Sequence, residues 1–297
     1  MAKKLIKVFS ASNVFFSYDN GKKTKKPTLN DLSFEVREGE IYGFLGPSGA
    51  GKSTTQKILT RIIKDYQGSI KYRGKDLKKY TRSFYEDIGV GFELPVHFSK
   101  LSGRENLKFF QSLYKNKTDI EALLKRLNLA DDADRAVGDY SKGMKMRLNF
   151  ARALINNPRF LFLDEPTNGL DPSNAKIIKD MMLEFKKKGG TIFLTTHLMG
   201  DVEALCDYVV FLNDGKIVEH DTVKNLKLKY GKKTVKVEYL DNKKLKAVEF
   251  DLNKVGSNKL FLSLLKKYPI QTIHSQETSL EDIFIKVTGV KQYEKLA

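Results

Sequence analysis

The nine residues GPSGAGKST, Gly46 to Thr54, constrain this chain more than any other feature. From Gly46 through Ser53 they satisfy the phosphate-cradling spacing G-x-x-x-x-G-K-[ST] without a mismatch. Glycines let consecutive backbone N–H groups curl around phosphate oxygens, Lys52 reaches the outer phosphates, and the Ser53 hydroxyl suits Mg2+. Pro47, Ser48, Gly49, Ala50, Gly51 and Thr54 complete the candidate loop. The flanks agree with that reading. IYGFL (Ile41 to Leu45) reads as a buried strand, and STTQKILTRI (Ser53 to Ile62) reads as a helix whose N-terminus attracts anions.

A chain of 297 residues accommodates one large domain and a smaller companion. It holds no run of about 18 apolar residues that would span a bilayer. Its start, MAKKLIKVFSASN, lacks the apolar core of a signal peptide, so the expectation is a soluble chain. A single cysteine, Cys206, excludes an intrachain disulfide and fits a reducing cytosol. The formal net charge of +17, from 53 basic and 36 acidic residues, turns attention to polyanions. The excess is lysine scattered along the chain, not an arginine-rich arm with interleaved aromatics. A solvated basic surface is therefore the better reading than a dedicated nucleic-acid site. Cys/His clusters of metal-binding type are absent from the sequence.

Short β-branched or aromatic runs alternate with helical patterns: VFFSY at Val14, IYGFL at Ile41, IGVGF at Ile88, FLFL at Phe160, TIFLTT at Thr191 and YVVFL at Tyr208. That alternation predicts an α/β fold. Between Leu101 and Asn156 apolar residues recur at helical spacing instead, in RENLKFFQSLY, IEALLKRLNL and KGMKMRLNFARALI. A helical subdomain at about 95–156 is expected there. Past Tyr230 a new series begins with TVKVEYL, AVEFDL, KLFLSLLKKY, IQTIHS and SLEDIFIKVTG. The expected division is thus a nucleotide-binding domain, 1–230, and a small αβ appendage, 231–297.

RFLFLDEP (Arg159 to Pro166) is an apolar strand ending in two adjacent carboxylates. Asp164 and Glu165 suit the second half of a nucleotide site, one holding Mg2+ and the other polarising an attacking water. Successive strand side chains point to opposite faces, so both reach one site only where the chain turns at the strand's end.

Taken in order, GPSGAGKST, YSKGM (Tyr140 to Met144), FLFLDEPTNGLDP (Phe160 to Pro172) and TIFLTTH (Thr191 to His197) resemble the ATPase cassettes of ABC proteins, over roughly residues 5–225. The resemblance implies a P-loop NTPase of the ABC type that binds ATP with Mg2+ and works as a dimer. Each phosphate loop then faces the other subunit's signature. YSKGM stands where the family has LSGGQ: Ser141 and Gly143 match, lysine replaces the first signature glycine, and Met144 replaces glutamine. By the same resemblance Tyr18 stacks on adenine, Asp171 belongs to the loop linking two cassettes, and His197 contacts the γ-phosphate and orients the water. Glu165 acts as general base or water-orienter, Lys52 stabilises phosphate charge, and Ser53 and Asp164 fix Mg2+. His97, His220 and His274 lack such company and read as surface or packing residues.

Glu93, in IGVGFELP, replaces the glutamine that in the family touches Mg2+ and the attacking water and reports to the membrane partner. A carboxylate can still ligate Mg2+, but it adds negative charge beside the γ-phosphate. With YSKGM, this resembles the cassettes of bacterial exporters for antibiotics and antimicrobial peptides, including lantibiotic self-protection and bacitracin-type transporters. The tail TSLEDIFIKVTG resembles the end of cassettes paired with a separate six-span permease. The implied protein is an ATPase subunit, in a homodimer, peripheral at the cytoplasmic face of the cell membrane. The rival reading, a non-transport ABC ATPase acting on ribosome or nucleic acid, rests chiefly on the charge. It lacks the tandem cassettes or long coiled coil that such proteins resemble.

Overall fold

In the computed structural model the described residues are 6–18, 27–231, 233–276 and 278–289. The chain divides into two compact units, 1–221 and 222–297.

The first unit is built on a six-stranded sheet. Its order is Lys216–Thr222, Tyr208–Asn213, Ile41–Leu45, Thr191–Thr195, Phe160–Asp164 and Ile88–Gly91. The strands from Tyr208–Asn213 to Ile88–Gly91 run parallel. Sheets of this kind are covered on both faces, which is why IYGFL, FLFLD and TIFLT are buried at every position. A second, antiparallel sheet joins Leu29–Arg37, Lys7–Phe16, Gln67–Tyr72 and Lys75–Asp76. Leu29, Leu32, Phe34 and Val36 face inward from it, and Phe9 meets Phe160 and Phe162 edge-on at 5.0 and 5.7 Å. One aromatic core thereby binds the two sheets.

The carboxyl end of Ile41–Leu45 runs through the glycine loop into the helix Lys52–Leu59, three residues shorter at its C-terminus than the periodicity suggests. Gly51 has φ 109°, and a Cβ there would lie 2.7 Å from Leu29 Cδ2 and 3.0 Å from the Thr28 carbonyl. Only glycine fits that turn.

Between strands Ile88–Gly91 and Phe160–Asp164 the chain is helical, with helices Gly103–Ser112, Ile120–Arg126 and Lys142–Leu154. Ser102 and Glu105 close a capping box on the first, Asp119 caps the second, and Ser141 caps the third by accepting from Met144 N.

In the second unit the central strand Thr234–Asp241 pairs antiparallel with Lys244–Asp251 and with Ile270–Gln276. Asn242 and Lys243, both at positive φ, make the tight turn of that hairpin. Leu264, from the helix Lys259–Lys267, fills a small core with Val235, Val237, Tyr239 and Phe250. Helix Val223–Tyr230 lies in this unit against helix Leu280–Thr288.

Candidate nucleotide and catalytic site

The parallel sheet brings the sequence motifs together at the carboxyl ends of three neighbouring strands. Asp164 stands opposite Thr195 in register, and the Thr195 hydroxyl donates to the Asp164 carboxylate. One residue further on, Thr196 Oγ1 donates to Glu165 Oε2 at 3.1 Å. Glu165 Oε1 lies 2.8 Å from His197 Nδ1. The backbone turns at Glu165, whose φ is 50°, and the Glu165 N–H donates to the Thr195 carbonyl at 2.9 Å. A left-handed residue breaks the strand alternation at this point, as two adjacent carboxylates serving one site require.

Lys52 lies among these acids. Burial lowers its pKa, while Glu165, Asp164 and Glu93 oppose the shift. Its Nζ donates to the carbonyls of Gly46 (2.6 Å) and Pro47 (3.0 Å), so it follows the loop's curve. Ser53 Oγ lies 3.4 Å from Asp164 Oδ2, which joins the helix's first turn to the acidic strand end. Burial raises the pKa of Asp164 and, separately, that of Glu165. Hydrogen bonds from Thr195 to Asp164, and from His197 and Thr196 to Glu165, offset part of each rise. The acids are thus largely buried and held by hydroxyl and imidazole groups.

Tyr18, 44% exposed, sets its hydroxyl 3.3 Å from Thr54 Oγ1 and meets Phe16 edge-on at 4.9 Å. Glu93 is exposed, on the loop after strand Ile88–Gly91, close enough to Lys52 and Asp164 to affect both. Ser141 is exposed at its helix N-terminus, and Gly143 has Leu170 Cδ2 3.5 Å from where a Cβ would stand. Lys142, at the departure from the signature, lays its Cε and Nζ 3.2 Å from a Cβ position on Gly169. The signature therefore touches the NGLDP loop. Asp171 caps helix Pro172–Lys187 through the N–H groups of Ser173 (3.1 Å) and Asn174 (3.0 Å).

Sequence reasoning missed the threonines, whose role depends on strand register, and missed a brace behind them. Asp201, in helix Met199–Leu205, accepts from Thr167 Oγ1 at 2.6 Å and from Lys179 Nζ at 2.9 Å. It ties the loop after Glu165 to the helix after His197. Among the described residues no cluster of three or more His, Cys, Asp or Glu side chains forms a metal site, and no helix is long and apolar enough to cross a membrane.

Comparison with known proteins adds the family. The ABC transporter family matches residues 29–168, and the family of fluoroquinolone efflux ABC transporter C-terminal domains matches residues 233–277. A fluoroquinolones export ATP-binding protein of Mycobacterium tuberculosis is 49% identical over 269 residues, covering 90% of this chain and 89% of the relative. The bacitracin transport ATP-binding protein of Bacillus licheniformis is 34% identical over 286 residues, covering 88% and 92%. A solved ATP-binding subunit of an ABC transporter superposes with a TM-score of 0.69 at 27% identity, over 75% of this chain and 93% of that one. None of these supports the ribosome or nucleic-acid alternative. The chain belongs to the ATP-binding subunits of ABC transporters and is an ATPase.

Proposed function

We propose that this chain powers an exporter of antibiotics or antimicrobial peptides, as one of two identical ATPase subunits on a separate multi-span permease at the cytoplasmic face of the cell membrane. The observation that carries the reading is the 49% identity to a fluoroquinolone-export subunit, together with a C-terminal segment of the fluoroquinolone-efflux type at residues 233–277. Likeness confined to the cassette would be shared with importers.

Two chains would hold two ATP molecules head to tail, each phosphate loop facing the partner's signature serine and glycine at Ser141 and Gly143. Tyr18 stacks on the adenine, and Lys52 with the N–H groups of residues 46–54 holds the phosphates. Ser53 and Asp164, side chains 3.4 Å apart with hard oxygen donors, suit Mg2+, with Glu93 as a further donor; bound there, the ion neutralises phosphate charge. Glu165 takes or orients the proton of the attacking water, and His197, 2.8 Å from it, aligns the γ-phosphate. Asp171 lies on the loop joining the two subunits.

Leu94 and Val96 are 77% and 75% exposed on the loop that begins with Glu93. Phe98 and Phe109, edge-on at 5.0 Å and also exposed, extend the apolar surface, as does Leu113. An apolar surface of this extent beside a catalytic loop suits a cytoplasmic helix of the permease.

The test is to purify the chain from native membranes with the multi-span product of its neighbouring gene and compare ATPase rates with and without it. Co-purification with a changed rate supports the reading. A chain that instead retains nucleic acid, and ignores the membrane protein, overturns it.

A further inference from the structure

Where the chain passes from the antiparallel sheet to the parallel one, Gly39 turns the backbone at φ 78°, with Arg37 before the turn and Glu40 after it. Just beyond, Tyr42 stands opposite Tyr208 in register, and the two rings stack at 5.2 Å and 11°. Phe34 adds a third ring, 6.2 Å and 29° from Tyr42. The Tyr208 hydroxyl pairs with His220 Nδ1 at 2.6 Å. Together with Glu35, these residues line a cavity of about 340 Å³, within the range of small-molecule sites.

The polar groups of this cavity are unmatched within the protein. Tyr42 is 2% exposed. Burial raises the pKa of its hydroxyl well above the ordinary tyrosine value, and Tyr208, Glu40 and Glu35 add to the rise. The hydroxyl therefore lies among the charged lining, yet it makes no hydrogen bond with any described residue. Glu40, its side chain 19% exposed, approaches Arg37 only to 4.0 Å, too far for a hydrogen bond, and burial raises its pKa too. Glu35, by contrast, is paired with Lys7 at 2.5 Å. The charges of Lys7, Glu35, Arg37 and Glu40 cancel. What is left to recognise a ligand is one group for an anion, one for a cation, a tyrosine hydroxyl and a stack of rings.

We propose that this cavity binds a small aromatic zwitterion, with a planar ring against Tyr208, a carboxylate on Arg37 and the Tyr42 hydroxyl, and a protonated amine on Glu40. The site is separate from that of the nucleotide. Tyr42 lies at the opening of the strand whose other end becomes the phosphate loop, and the strand's rise puts Gly46 about 13 Å away. An occupant joins Arg37 of one sheet to Tyr42 and Tyr208 of the other, so it stabilises the fold as well as filling the cavity. The inference goes beyond the exporter reading and stands without it.

The full-length chain, saturated with ADP, is titrated calorimetrically with L-tryptophan, with tryptamine, which keeps only the amine, and with indole-3-propionate, which keeps only the carboxylate. Aromatic amino acids and amine-bearing quinolone drugs share the proposed chemistry, so norfloxacin is titrated in parallel, and the tighter zwitterion names the source. Expected is one zwitterion per chain with a Kd below about 1 mM and a raised melting temperature. Arg37→Gln and Glu40→Gln each weaken it at least about 10-fold, and Tyr42→Phe about 3- to 10-fold, with ADP affinity within about two-fold of wild type. On the unaltered chain, each singly charged indole binds at least about 10-fold more weakly than L-tryptophan if the amino acid is the ligand. No binding of either zwitterion up to about 10 mM overturns the proposal. So does displacement of the bound zwitterion by ADP, which would place it in the nucleotide site, or an affinity that both charge-removing variants leave unchanged.

Discussion

Glu165 Oε1 lies 2.8 Å from His197 Nδ1, and the carboxylate's second oxygen takes the Thr196 hydroxyl at 3.1 Å. A carboxylate gripped at both oxygens is oriented, and burial raises its pKa, making it a better proton acceptor than an exposed glutamate. Glu165→Gln is expected to bind ATP normally and to lose at least 100-fold in turnover. Turnover within a few-fold of wild type would remove Glu165 from the reaction.

The same raised pKa gives a pH prediction. A carboxyl group whose folded pKa lies above its unfolded value, about 4.3 for glutamate, adds stability below that value and loses it as pH rises through the folded one. At neutral pH the ionised Glu165 therefore destabilises the fold. Glu165→Gln should melt higher than wild type at pH 7.5, by an amount that shrinks towards pH 4. A thermal-shift series across that range checks it, and an advantage that grows on acidification contradicts it.

The contrast between Thr195 and Asp164 explains what the sequence could and could not tell. FLFLD and TIFLT were legible as strands because a parallel sheet buries every residue, leaving unbroken apolar runs. Asp164 and Glu165 stood out as adjacent carboxylates closing an apolar strand in a chain that also carries a phosphate loop, and His197 through the family resemblance alone; the structure brings Glu165 and His197 within 2.8 Å. Thr195 looked like an ordinary β-branched residue, and only its register opposite Asp164 gives it a task. Strand Gln67–Tyr72 stayed hidden for a different reason. It buries Ile70 and Tyr72 alone, too short an alternation to stand out. The Glu93 loop's attachments were equally out of reach, since Asn149 and Arg152 bind backbone carbonyls 57 and 56 residues away in sequence.

Thr195→Val keeps shape and removes the hydroxyl. Asp164 is 9% exposed and would lose its closest donor, leaving a buried charge less well compensated. The expected cost is about 1–3 kcal/mol of stability at pH 7, measured by denaturant unfolding. Thr195→Ser restores the donor and should recover most of it. Equal losses in both variants would trace the effect to packing instead of the hydrogen bond.

Asp201 reaches the nucleotide motifs through Thr167, at 2.6 Å, and it also holds Lys179 at 2.9 Å. The Thr167 bond ties the Glu165 loop to the helix that follows His197, so the brace fixes their separation. Asp201→Asn keeps an acceptor for Thr167 and weakens the ion pair with Lys179, whereas Asp201→Ala removes both. Expected are turnover losses of about 10-fold for alanine and under about 3-fold for asparagine, with the KM for ATP little changed, since a hydrogen bond of this kind is worth about 1–1.5 kcal/mol. A rise in KM without a fall in kcat would place Asp201 in nucleotide binding instead.

Glu93 puts a third carboxylate near Lys52, beside Asp164 and Glu165. Its charge opposes the approach of a polyanion, and it is exposed, so water and salt screen part of the effect. Removing that charge while keeping the side chain's length isolates the electrostatic part. Glu93→Gln should lower the KM for ATP about 2- to 5-fold at low ionic strength, and the difference should fade as salt is raised. A salt-independent change would point to an altered contact at the loop, and a higher KM in the variant would show that the carboxylate favours nucleotide binding through the ion it helps to hold.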